Sequence, residues 1–225
     1  MSFSHSPTRH WRTALASALL ASVTLISACG GGGAVVGGVG TGGTGAFSSG
    51  AIRGLGSIVV NGVRYDDSAA TVTDDNGNSS NSSSLKLGVV VEVQGDDIVT
   101  PATGLPTSNA RSVVFRSEIK GPASSVDLAA GTLTVLGQTV TVSASTVFDL
   151  NLPHGLASVP AGQLVEVYGF VDANGVYQAT RIEGEDSTSA YKIRGKLSAL
   201  NTGAKTFQIG AAVIDYSAIS FNFTL

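Results

Sequence analysis

Leu87-Gly88-Val89-Val90-Val91-Glu92-Val93-Gln94-Gly95 recurs 74 positions later as Ala161-Gly162-Gln163-Leu164-Val165-Glu166-Val167-Tyr168-Gly169, with the glycines, the glutamate and its flanking valines in matching places. Val91, Val93 and Gly95 alternate with Glu92 and Gln94. That period of two marks a strand with one dry and one wet face. Val165, Val167, Gly169 and Val171 do the same around Glu166.

Outward from this block the chain repeats itself in order. Ile52-Arg53-Gly54, Ile119-Lys120-Gly121 and Ile193-Arg194-Gly195 open three units, with starts 67 and 74 residues apart. Ala110-Arg111-Ser112-Val113 parallels Ala179-Thr180-Arg181-Ile182. Asn61-Gly62 between Ser57–Val60 and Val63–Tyr65 predicts a tight hairpin, because a primed turn needs positive φ at both central residues. Ala173-Asn174-Gly175 and Leu136-Gly137 predict two more. Five strands in each unit of about 70 residues suit a closed barrel better than an open sheet, whose edges would lie bare. The expected fold is all-β: tandem small antiparallel barrels of the OB type. Asp149 to Ala161 lies where such barrels carry a helix, and Pro153 and Pro160 restrict it to a short one.

The expected boundaries are residues 51–118 for the first barrel, 119–190 for the second and 191–225 for a partial third. The third unit lacks the Val-Glu-Val block, and a truncated chain is the favoured explanation. Asp74 to Ser84 is polar, has no apolar anchor and reads as a mobile loop. Gly30 to Gly50 holds 11 glycines in 21 residues and reads as a flexible tether, with a span of roughly 25 Å.

The residues ahead of this tether carry an address. Met1 to Arg12 is polar and basic, Thr13 to Ile26 is apolar and uncharged, and Ser27-Ala28 precedes the lone cysteine, Cys29. The apolar run falls short of the about 20 residues a bilayer span needs and suits a signal peptide, residues 1–28. The arrangement resembles a bacterial lipoprotein signal, with Ile26 where leucine is usual. The resemblance implies a diacylglycerol thioether on Cys29, cleavage before it and acylation of the new amine. At about 0.8 kcal/mol for each buried methylene, three chains anchor essentially permanently. Gly30 rather than aspartate after the cysteine implies, by the same resemblance, an outer-membrane lipoprotein, facing either the periplasm or the surface. An ordinary secretory signal with a coincidental cysteine is the alternative.

Removing residues 1–28 leaves 11 basic against 16 acidic residues and His154 as the one histidine. That balance argues against a nucleic-acid partner. Cysteine alone at position 29 excludes an internal disulfide.

Gly121-Pro122, Thr132–Gly137, Val165-Glu166-Val167 with Gly169, and Ala179–Glu183 together carry a likeness. The units that hold them resemble the tandem repeats of the domain of unknown function 5666 family, found in bacterial lipoproteins. The resemblance implies OB-like barrels on a lipid anchor, and it supplies no catalytic residues, cofactor or metal.

Chemistry beyond the anchor is sparse. His154 with Asp149 falls short of the three or four ligands that zinc takes. Asp66-Asp67, Asp74-Asp75 and Asp96-Asp97, with Glu183, Glu185 and Asp186, read as solvated turn carboxylates rather than a calcium loop. Tyr65, Tyr168, Phe170 and Tyr177 offer aromatic surface; Tyr168 and Phe170, in phase with Glu166, form an exposed patch or, preferably, pack between neighbouring barrels. The expected function is a lipid-anchored, non-enzymatic envelope module that spaces or binds a protein or polysaccharide. The alternatives are a polysaccharide hydrolase working through Glu92 and Glu166, and weak divalent-cation binding by the acidic turns.

Overall fold

Small residues, β-branched residues and tight turns dominate the sequence, and the computed structural model, which describes residues 46–219, is correspondingly 52% strand and 4% helix. The first unit contains β1 (Ala46–Gly54), β2 (Ile58–Val60), β3 (Val63–Asp66), β4 (Thr71–Asp74), β5 (Ser79–Ser80), β6 (Val90–Gly95) and β7 (Thr107–Arg116). Neighbours run β3-β2-β1-β6-β7, and a parallel β3–β7 pairing closes the ring. The second unit contains β8 (Ile119–Asp127), β9 (Thr132–Val135), β10 (Gln138–Thr141), β11 (Val147–Phe148), β12 (Leu164–Val171) and β13 (Tyr177–Glu185). It runs β10-β9-β8-β12-β13 and closes through parallel β10–β13. Two closed five-stranded barrels of the OB type therefore stand in tandem. In each, a short strand between the third and fourth barrel strands, β4 or β11, lies parallel to the fifth.

The turns form as the sequence dictates. Asn61 and Gly62 have φ of 51° and 80°, Leu136 and Gly137 have 49° and 76°. Asp172 Oδ1 accepts from the amides of Asn174 and Val176, closing the third hairpin. The short helix expected between Pro153 and Pro160 is a 3₁₀ turn, Gly155–Ser158.

Each barrel core is built from inward valines and isoleucines. Ile52, Ile58, Val60, Val91, Val93 and Val113 fill the first, around Tyr65. Ile119, Leu133, Val135, Val165, Val167 and Ile182 fill the second. Burying one such side chain stabilises by about 1.5–3 kcal/mol.

Three expectations require correction. The first barrel starts at Ala46, not Ala51: Ala46 to Ala51 pair residue by residue with β6, so the last part of the supposed tether is strand. Its small residues suit that place, since a Cβ on Gly50 would fall 2.6 Å from Asn61 Oδ1. Asp74 to Ser84 is folded rather than a featureless loop. Asp74 Oδ1 accepts from the amides of Asn76 and Asn78, β5 pairs with β4, and Asn81 caps a 3₁₀ turn over Ser82–Ser84. Local side-chain acceptors replace the missing apolar anchor. In the third unit Ile193 does not open a separate barrel strand. It lies in β14 (Lys192–Ile193), which pairs with β8, and only then follows an antiparallel sheet of β15 (Leu197–Asn201), β16 (Thr206–Ile209) and β17 (Ala212–Asp215). The expected signal peptide, the expected lipidation site Cys29 and the expected glycine tether up to Gly45 lie outside the described residues.

Candidate functional site

The repeated glutamates are the first candidates, and both are held by cations from a neighbouring strand. Glu92 on β6 bonds Arg116 Nη1 at 2.7 Å. Glu166 on β12 stands opposite Lys120 on β8 and accepts from its Nζ at 2.9 Å, with Glu185 3.4 Å from the same nitrogen. Burial opposes the Lys120 charge, but the two glutamates outweigh it and hold the ammonium above its ordinary pKa. His154 is exposed and caps the 3₁₀ turn through its amide, which donates to Ser158 Oγ; among the described residues no hydrogen bond or ion pair joins it to Asp149. Among the described residues, no three His, Cys, Asp or Glu side chains are grouped to hold a metal, and no helix is long and apolar enough to cross a membrane.

The junction between the barrels is the second candidate. Only Ser117 and Glu118 separate β7 from β8. Tyr168, on the outer face of β12, belongs to the core of the first barrel, and Phe170 packs beside it. The aromatic pair thus packs between barrels, as preferred, and burial raises the Tyr168 hydroxyl pKa. Around this wedge, Thr180 Oγ1 donates to Gly88 O at 2.6 Å and Arg181 Nη1 to Leu87 O at 3.1 Å.

Two carboxylates expected in solvent are buried here instead. Glu183 accepts from Lys86 at 2.8 Å and from Arg181 at 2.6 Å; burial raises its pKa, and these two cations more than reverse the shift. Asp75, its side chain 7% exposed, accepts from Lys192 at 3.0 Å and from Arg194. Burial likewise opposes its charge, yet hydrogen bonds from Lys192 and Arg194 hold it below the ordinary carboxylate pKa. Glu118 goes the other way: burial raises its pKa, and Arg116, Arg194 and Lys192 only partly offset this. A cleft of about 520 Å³ opens beside the network, between the Asp74–Asn78 turn, Lys120, Glu166 and Tyr191.

The third candidate escaped sequence reasoning. Fifteen positions separate Gly95 from Ala110, but ten separate the equivalent Gly169 from Ala179. The first unit therefore carries a five-residue extension between β6 and β7, and that difference in spacing was the available signal. The extended loop exposes Ile98 (44%), Val99 (64%) and Leu105 (42%). It shares a groove of about 350 Å³ with Ser57 and Arg64, beside Asp66, Asp96 and Asp97. Ser57 belongs to the β1–β2 turn and also lines a second groove, of about 650 Å³, with Leu55. Asp66 and Asp186 are exposed, as expected of turn carboxylates, whereas Asp67 and Asp96 are half-buried.

The family described as "Domain of unknown function (DUF5666)" matches residues 48–97 and 120–183, just over half of the chain. The chain belongs to the DUF5666 family. No curated protein and no solved structure matches it. The first DUF5666 segment stops at Asp97, where the extended β6–β7 loop begins.

The glycines shared by the two DUF5666 units have physical reasons. Gly88 and Gly162 turn the chain into β6 and β12 with φ of 82° and 88°, a region that side chains disfavour. Gly95 and Gly169 sit where a β-bulge brings the next strand close. A Cβ would fall 2.8 Å from Asn109 O in the first unit and 2.1 Å from Gln178 O in the second. The Val-Glu-Val-x-Gly block thus has three parts: valines for the core, glutamate for a strand-to-strand ion pair, glycine for the bulge.

Proposed function

We propose that the chain is a lipid-anchored, non-enzymatic module of the bacterial cell envelope, held in the outer membrane through acylated Cys29 and presenting its barrels as a spacing and binding body. The coincidence of an apolar run, Ser27-Ala28, Cys29 and a glycine tether supports the anchor. The observation that carries the non-enzymatic reading is the engagement of each repeated glutamate by a cation: Glu92 by Arg116 and Glu166 by Lys120. A carboxylate already bonded to an ammonium or guanidinium of the neighbouring strand is committed to holding the sheet together rather than presented to a substrate.

Mass spectrometry of the protein from its native membrane tests the anchor. An N-terminal peptide beginning at acylated Cys29, lost in Cys29→Ser, is the expected result; an unmodified, soluble product overturns it. Incubation of the purified chain with envelope polysaccharide tests the rest. Turnover abolished by Glu166→Gln would establish the hydrolase instead.

A further inference from the structure

The β6–β7 extension differs from an ordinary solvated loop in exposing large apolar side chains while its base is fixed. Val99 exchanges two backbone hydrogen bonds with Thr107, at 2.8 and 2.9 Å. The Asp96 amide donates to Asn109 O at 2.9 Å, Ser108 Oγ donates to Asp96 O at 2.7 Å, and the Arg64 amide donates to Pro106 O at 2.8 Å. The second unit closes the same connection with the tight turn after Asp172 and has no such surface. Single exposed apolar residues are unremarkable, but here Ile98, Val99 and Leu105 cluster in one loop, and Leu55, 53% exposed, stands across Ser57 from them. Ser57 itself has φ of 120°, a conformation an L residue adopts only under strain. The rim is acidic: Asp66, Asp96 and Asp97 against Arg64, with Asp96 also paired to Arg111.

We propose that this loop face of the first barrel docks an extended segment of a protein partner in which an apolar side chain is flanked by lysine or arginine. The apolar residue fills the groove lined by Val99, Ser57 and Arg64, next to the Leu55 groove that shares Ser57 and Asp66 with it, and its basic neighbours meet Asp66 and Asp97. Apolar anchors inside a polar rim are the usual anatomy of a protein interface, and loop ends already fixed lower the entropy lost on binding. The acidic rim disfavours an anionic lipid surface and a nucleic acid alike. The inference rests on the binding version of the function proposed above.

A phage-displayed library of random dodecapeptides, selected on the mature chain, tests it. The expected winners carry an apolar residue between basic ones. A synthesised winner should lose about tenfold in affinity on Val99→Ser or Leu55→Ser and weaken with added salt. On the unmutated chain, the same peptide should shift the amide resonances of Leu55–Ser57 and Ile98–Leu105, which guards against misfolded variants. Absence of enrichment, acidic winners, or peptides indifferent to both substitutions overturns the proposal. In that case acylated Cys29 and inertness toward polysaccharide would still leave the anchored module standing.

Discussion

At the scale of single residues, Asp75 shows how chemistry that looks idle in sequence becomes structural. It lies in the run Asp74-Asp75-Asn76-Gly77-Asn78, and only its neighbour Asp74 behaves as such a run suggests, folding back on the amides of Asn76 and Asn78. Asp75 points the other way, into Lys192 and Arg194, more than a hundred residues later in the chain. Because its folded pKa lies below the unfolded value of about 3.9, its stabilisation is complete above about pH 5 and disappears as pH falls through the folded pKa. Lys192 and Arg194 keep 25% and 40% of their side chains exposed, so solvent screens part of the attraction. Asp75→Asn should therefore lower stability by about 1–2 kcal/mol at pH 7, and urea titrations should show this gap closing below about pH 4. Glu118, with its pKa raised by burial, has the opposite sign: its ionisation weakens the fold as pH rises through the acid range.

At the scale of elements, the bulge explains why two strands are spelled alike. In β12 the register slips between Tyr168 and Gly169, in β6 between Gln94 and Gly95, and each time the register steps over one residue of the partner strand, Thr180 or Arg111. Gly169→Ala should destabilise by about 3 kcal/mol, at the upper end of overpacking penalties, because the 2.1 Å approach is to backbone that cannot turn aside. Gly175→Ala, in open space with φ of 81°, should lose only about 1 kcal/mol of left-handed strain, and chemical denaturation of the two variants measures the difference. Elements of this kind were legible because their causes are local. Period-two valines give β6 and β12, and Asn61-Gly62 gives the β2–β3 hairpin, which Asn61 Nδ2 then ties to Ser49 O at 2.8 Å. The beginning of β1 was not legible. Nothing in Ala46-Phe47-Ser48-Ser49-Gly50 marks a strand until β6, more than forty residues on, offers its edge. The loop face was hidden for a related reason: only comparison of the two units exposes the extension, and only the closed barrel brings it to Ser57.

At the scale of the whole molecule, strand pattern says that there are two barrels but not whether they act as beads or as one body. That answer lies in contacts between distant residues of unlike type. A tyrosine in phase with a wet-face glutamate was ambiguous in sequence, and the first barrel decides it by taking Tyr168 into its own core. Gly88, which as a turn residue needs only positive φ, also leaves room for Thr180 O, 2.4 Å from where a Cβ would stand. With a two-residue junction, an aromatic wedge and the bonds of Lys86, Thr180 and Arg181 across the seam, the barrels should unfold together, giving one calorimetric transition for residues 46–185. Tyr168→Ala removes the wedge and leaves a void where two cores meet, a loss of about 3–5 kcal/mol. Neither barrel loses an inward valine in this variant, so each keeps the pattern that folds it. The expected outcome is therefore a split into two transitions rather than one transition at lower temperature. A single lowered transition would mean that the remaining polar contacts suffice to couple the barrels, and that Tyr168 contributes stability without setting cooperativity.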